Sequence, residues 1–208
     1  MNLVILVCDR VRFFWRLYRD RHSTSRSHAH VHAADSGLGS TSTSREFNPR
    51  PLDLPLLSAL LWACAGRTDM EGRRTVPSAR NLRTLSAYVF DERGVWRYDE
   101  VDNTLTRLVE GDLRGDTTTG QDFVRQAPVS IVFIADLKRC GDQLGQLRDL
   151  CLAVDAGCMV QAAQLAASAM GLSSVARASL DPVHLRQCLG LDDDYIALMA
   201  VSVGFPAD

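Results

Sequence analysis

The sequence has no uninterrupted apolar run of the ~20 residues that a helix needs to cross a bilayer. Asn2 to Cys8 is the one apolar stretch near the start, and Asp9 and Arg10 end it at once. That is too short for the apolar core of a signal peptide, and no small-residue cleavage site follows it. There is no CxxC pair among Cys8, Cys64, Cys140, Cys151, Cys158 and Cys188. Several of these lie in apolar helical contexts, where a free cysteine behaves as a small buried hydrophobe. The pattern suits a reduced, cytoplasmic protein. Neither sign of charge dominates: 23 Lys and Arg face 25 Asp and Glu, for a net charge of −2. That balance gives no general case for nucleic acid or an anionic membrane as partner. No internal repeat is evident. Nor is there a convincing Ser-His-Asp, Cys-His or paired-carboxylate set, so no side chain stands out as catalytic. His184 falls in a helix and reads as a surface or interface residue.

What is present is ordinary globular material: 208 residues, 46% hydrophobic, enough for one sizeable core or two small ones. Residues 1–22 carry Arg12, Arg16 and Arg19 at helical spacing, which reads as an amphipathic basic helix or an extension outside the fold. Residues 23–44 are Ser, Thr, His, Ala and Gly, a linker composition. The alternate His28, His30 and His32 have no acidic or thiol residue placed to complete a metal site. Residues 1–40 therefore read as an extension and residues 41–208 as one domain.

Asp53 caps a helix running through Leu54, Leu57, Leu60, Leu61 and Trp62, and Gly66 ends it. Strands are expected over Ser86–Phe90, Gly94–Tyr98 and Thr104–Val109, with a turn at Asp91–Gly94. A short polar helix is expected over Thr118–Gln126, and a central buried strand over Val129–Ala135. Residues 141–170 form the longest helix. Its expected stripe includes Leu144, Leu147, Leu150, Cys151, Val154 and Cys158, and its small residues suggest close neighbours on all sides. Ser173–Ser179 is strand-like, Asp181–Gly190 helical and Ile196–Phe205 a last strand. Helices and strands mix without strict alternation, which predicts an α+β fold.

Between the first helix and the first of those strands lies Arg73-Arg74-Thr75-Val76-Pro77-Ser78-Ala79-Arg80-Asn81. Pro77 fixes its own φ and pushes Val76 toward an extended shape. Ser78 then stands where an N-cap opens a helical turn, which aims backbone N–H groups at an acceptor. Arg74, Ser78, Arg80 and Asn81 make a donor set suited to a planar, anionic, acceptor-rich ligand.

Four pieces of the chain, in order, resemble the nitroreductase family of flavoproteins, and within it the branch of thiazole-forming oxidases. They are Thr41-Ser42-Thr43-Ser44-Arg45-Glu46-Phe47; Leu60-Leu61-Trp62-Ala63 followed by Arg74 to Asn81; Asp155-Ala156-Gly157 with Gln161, then Gly171-Leu172; and Leu185 to Leu191 with Val203-Gly204-Phe205-Pro206. The resemblance covers nearly everything from residue 41 onward. It implies an α+β nitroreductase-like fold, with an antiparallel-rich central sheet flanked by helices. It also implies an intertwined homodimer with FMN at the subunit interface, NAD(P)H as reductant and a small organic molecule as acceptor. By the same resemblance Arg45 holds the FMN phosphate, and Thr41, Ser42 and Thr43 occupy its other phosphate positions. Ser78 and Asn81 meet the ring or ribityl chain, and Pro77 packs near the ring from the other subunit. Arg74 and Arg80 neutralise the reduced ring. Ala178 and Ser179 lie where backbone N–H donors cover the flavin, with Arg177 beside them. Two departures stand out. Thr41 and Ser42 replace the family's paired arginines, and the chain closes on Ala207-Asp208 rather than on basic residues. Losing two charge-assisted bonds costs ~10²–10⁴ in affinity. The alternative is thus a member that keeps the dimeric fold but binds FMN weakly, acting as a binding or structural protein.

Overall fold

A computed structural model describes residues 4–6 and 43–207 of the chain. In chain order the elements are β1 (Val4–Leu6), β2 (Phe47–Asn48), α1 (Leu54–Ala65), β3 (Leu85–Asp91), β4 (Gly94–Asp99), β5 (Thr104–Glu110), β6 (Val129–Asp136), α2 (Arg148–Ala169), β7 (Ser173–Arg177), α3 (Pro182–Cys188) and β8 (Tyr195–Pro206). The strands form one antiparallel sheet in the order β1-β5-β4-β3-β6-β8-β2, with β7 also paired to β8. With helices on both faces, the architecture is the α+β class expected from the sequence.

β6 runs through the middle of the sheet, as its continuous apolar run requires, and every residue from Val129 to Ala135 is buried. Alternate residues serve two cores. Ala87, Val89, Ile131 and Phe133 face α1 and α2, whereas Tyr88, Phe90, Val132 and Ile134 pack with Leu185 and Leu189 of the α3 segment. The long strand β8 is the hinge of the topology. It pairs with β6 along one edge, and along the other with β7 and then, over Phe205–Pro206, with β2.

Local chemistry sets the helix ends. The Asp53 carboxylate accepts from the Leu56 N–H at 2.9 Å, and Pro55 sits in the first turn, where a missing N–H costs nothing. Gly66 closes α1 for a reason other than a left-handed backbone, since its φ is −67°. Its N–H donates to the Trp62 carbonyl at 2.8 Å, and the chain runs so close that a Cβ would collide with that carbonyl and lie 2.6 Å from the indole. The two helix starts capped by aspartate and the strands from β3 to β8 lie where the sequence pattern put them, within a residue or two.

Three expectations change. Thr118–Gln126 forms only a 3₁₀ turn, Asp122–Arg125, although Val124 is fully buried as expected. Val4–Leu6, inside the region read as a basic helix or an extension, pairs with β5 as an edge strand. The remaining expectations for residues 7–42, including the histidine run, fall outside the described residues. Third, the inward face of α2 consists of Leu152, Asp155, Ala156, Met159, Val160, Ala163 and Ala167. Leu147, just before it, and Leu150 and Val154 point outward and are 56–63% exposed. Of the stripe expected from the sequence, Leu144 is buried and Cys151 and Cys158 are half-buried, whereas Leu147, Leu150 and Val154 form the outer face within one chain. The inward face mixes Leu152, Met159 and Val160 with Ala156, Ala163 and Ala167, and the alanines let α2 approach the sheet and α1 closely. The span from Gly145 to Ala169 is long and apolar enough to cross a membrane, contrary to the reading of the sequence, but it packs against α1 and the sheet.

Gly66→Ala is expected to lower stability by about 1–3 kcal/mol, because the end of α1 must shift to admit the methyl group. Urea unfolding of the two proteins checks this.

Candidate functional site

The bend that links α1 to β3 is tied down by one long-range contact. The Ala79 N–H donates to both oxygens of the Asp155 carboxylate, at 3.1 and 2.9 Å. Asp155 lies on the inner face of α2 and is 6% exposed. The expected helical turn exists as a single 3₁₀ turn, Ala79–Asn81, but the Ser78 side chain does not cap it. Instead the Ser78 hydroxyl accepts from the Arg83 N–H at 2.9 Å, closing the bend from its far side. Arg80, Asn81 and Arg83 all have positive φ, between 49° and 57°. Such a run of left-handed residues other than glycine persists only where the surroundings impose it. Here Asp155 and Ser78 do so. Pro77, Arg80 and Asn81 are exposed at the tip, with Ser78 half-buried beneath them, and Arg80 donates to the Gln143 carbonyl at 2.6 Å.

Two of the expected ligand arginines lie inside the protein. The Arg74 side chain is 3% exposed; it pairs with Glu100 at 2.5 Å and donates to the Leu85 carbonyl at 2.7 Å. It thus fixes the base of the bend against β3 and the end of β4. Arg177 is also 3% exposed, and among the described residues no carboxylate pairs with it. It donates to the Thr117 carbonyl at 2.6 Å and to the hydroxyls of Thr117, Ser130 and Ser202 at 3.0–3.2 Å. Burial lowers its pKa to about 10, so it remains a cation at neutral pH.

The opening and closing motifs meet in space. Thr43 forms a parallel bridge with Ser174, the Ser44 N–H donates to the Ser174 carbonyl, and Phe47 pairs with Pro206. Arg45 is exposed, with its guanidinium 6.0 Å from the centre of the Phe123 ring. Thr41 and Ser42 fall outside the described residues. Ala178 and Ser179 follow the opposite end of β7, about 13 Å from Ser174 at the rise of a strand. Ser179 is locked to Thr119 by paired hydroxyls at 2.8 Å and by the Thr119 N–H to its carbonyl. The candidate residues therefore form three groups: Thr43 and Arg45, the Pro77–Asn81 bend, and Arg177 to Ser179. A cleft lined by Pro49, Pro51, Leu52, Leu57, Asp91 and Arg114 among others contains none of them.

The sequence model of the nitroreductase family matches residues 38–205. The chain belongs to the nitroreductase family. A crystal structure from Ralstonia eutropha, designated a nitroreductase, is 33% identical and superimposes with a TM-score of 0.79 over 88% of this chain and 87% of that one. Two more distant structures share the fold. The Escherichia coli microcin synthetase McbBCD complex, solved with truncated pro-MccB17 bound, is 16% identical with a TM-score of 0.69, covering 90% of this chain and 77% of that one. An FMN-dependent nitroreductase of Clostridium difficile is 19% identical with a TM-score of 0.59, covering 83% and 87%.

The fold also brings together a trio that the sequence alone did not point to. His184 Nε2 lies 2.8 Å from an Asp116 carboxylate oxygen, and Cys188 Sγ lies 3.4 Å from the same nitrogen. Burial, and then the Asp116 carboxylate, push the Cys188 thiol pKa up. The signal available in the sequence was a His and a Cys four residues apart on a capped helix, which share one face. Asp116 could not have been assigned to them, because the turn Arg114–Thr117 that carries it is placed by tertiary contacts.

Asp155→Ala is expected to release the bend. A stability loss of about 1–3 kcal/mol should accompany faster hydrogen exchange at the Ala79 amide. Asp155→Asn, which keeps one acceptor, should lose less. A second expectation concerns pH. The Arg114 guanidinium hydrogen-bonds the Asp112 carboxylate at 2.7 Å and holds its pKa below the usual carboxylate range. A depressed folded-state pKa contributes stability that is present above the unfolded value and is lost as pH falls through the folded one. Asp112→Asn should therefore remove less than about 1 kcal/mol at neutral pH, since the pair is partly exposed, and nothing once pH is well below about 4. Thermal unfolding scanned from pH 7 to pH 2 reads the difference.

Proposed function

We propose that this chain is an FMN-dependent oxidoreductase that moves two electrons from NAD(P)H to a small organic acceptor, working as a homodimer. The observation that carries this reading is the Pro77–Asn81 bend, an exposed donor array held in left-handed backbone by the buried Asp155. A rigid array of this kind is pre-organised for a planar ligand rich in acceptors. The chemistry of the donors fits FMN: Arg45 and Thr43 suit a phosphate, and the Ser78 hydroxyl, Asn81 amide and Arg80 guanidinium suit ring and ribityl oxygens. In this reading Thr41, Ser42, Thr43 and Arg45 would hold the phosphate. Ser78 and Asn81 would orient the ring, Arg80 would offset its charge, and Pro77 would pack against it from the second subunit. When bound, FMN supplies the hydride chemistry, which no side-chain acid–base pair needs to provide. Arg74 keeps the bend in register through Glu100 rather than touching the ligand. Arg177 anchors the segment that leads to Ala178 and Ser179, whose backbone donors would cover the flavin.

The outward row of Leu147, Leu150 and Val154 supports the dimer, because large apolar residues in line on one helix face call for a cover. The reading places the protein in the cytoplasm, where Cys64, Cys140, Cys151, Cys158 and Cys188 remain thiols.

Titration with FMN, followed by flavin fluorescence, tests the assignment. Arg45→Ala and Asn81→Ala should each weaken binding by roughly 10–100-fold, the loss of one or two polar contacts. Leu150→Glu should yield monomers in sedimentation and lose FMN with them. A folded dimer that takes up no FMN at millimolar concentration would leave a binding or structural role instead.

A further inference from the structure

We propose that Asp116, His184 and Cys188 form a binding site for one zinc-class divalent cation, separate from the flavin residues and independent of the proposed redox function. The three ligand atoms lie within 4.8 Å of one another. His184 and Cys188 share a face of α3, and Asp116 comes from the turn Arg114–Thr117. Tetrahedral zinc, with bonds of about 2.0–2.3 Å, needs ligand atoms about 3.3–3.7 Å apart. The 3.4 Å between sulfur and nitrogen already meets this, and the 2.8 Å contact between His184 and Asp116 has to open by roughly half an ångström.

The arrangement is not that of a nucleophile relay. A relay places the carboxylate and the nucleophile on opposite ring nitrogens. Here both approach Nε2, while Nδ1 lies 4.0 Å from the sulfur. Three donors gathered about one point suit a shared cation. One sulfur, one imidazole nitrogen and one carboxylate oxygen favour zinc over magnesium or calcium, which take oxygen sets. On binding, the thiol proton leaves to solvent, the imidazole keeps its proton on Nδ1, and a water fills the fourth position.

Both supports are fixed in advance. Asp181 caps α3 by accepting from the N–H groups of Val183 and His184 at 3.0 Å, and Leu185 and Leu189 root the segment in the core. Thr117, next to Asp116, is fully buried and gripped by Arg177 through its carbonyl and its hydroxyl. A bound cation would join α3 to the turn and stabilise both.

The test uses the full chain, stripped with a chelator and dialysed against Zn²⁺. Elemental analysis counts the retained metal, and peptide mapping after iodoacetamide treatment reads the modification of Cys188. The expected result is one zinc per chain and loss of Cys188 alkylation when zinc is present. His184→Gln, Asp116→Ala and Cys188→Ser should each lose the retained zinc, and the first two should lose the protection. All three positions are partly exposed, so the variants are expected to fold, and circular dichroism confirms it. No retained zinc in the unaltered chain overturns the proposal. So does retention in Cys188→Ser, which would assign the metal elsewhere, or protection that survives His184→Gln. None of these readouts depends on flavin or turnover.

Discussion

A backbone N–H and a buried carboxylate 76 residues apart hold the candidate site together. Asp155 sits on the packed face of α2, where an ionised group is tolerated only with hydrogen-bond donors, and Ala79 supplies one. The contact imposes a backbone that Arg80, Asn81 and Arg83 would not adopt alone. Without it the bend relaxes. The rest of the architecture serves this geometry: β6 and β8 make the floor, α2 lies across it, and Arg74 pins the base of the bend through Glu100.

Two buried arginines illustrate how a cation changes meaning with its surroundings. Arg74 is balanced by a carboxylate, while among the described residues Arg177 rests on neutral oxygens. Such a cage replaces the water that the guanidinium gives up, and it places Thr117, Ser130 and Ser202 around one point. Strands β6, β7 and β8 are thereby joined to the Arg114–Thr117 turn by a single side chain. The same turn presents Asp116 to His184, so the framework of one site reaches the other.

The outward apolar row on α2 belongs to a different scale of organisation. Within one chain α2 turns Leu152, Met159 and Val160 inward among alanines, whose small side chains let the sheet and α1 come close. Leu147, Leu150 and Val154 stay on the outer side, 56–63% exposed within one chain.

Much of the fold was legible in the sequence because it rests on local chemistry. Asp53 and Asp181 announced two helix starts, Gly66 an end, and the apolar run from Val129 a central strand. The bend was legible as Pro77-Ser78 followed by polar donors, and the ordered motifs carried the family. Which face of α2 turns inward was decided only by packing, since Leu150 and Leu152 are the same residue on opposite faces. Whether Arg74 reaches a ligand or a carboxylate depended on where Glu100 came to lie. The meeting of Asp116 with His184 across 68 residues, and of Ala79 with Asp155 across 76, follows from the sheet's crossings. Short-range spacing cannot encode such distances, because each is fixed by the sum of many packed contacts rather than by the residues that finally touch.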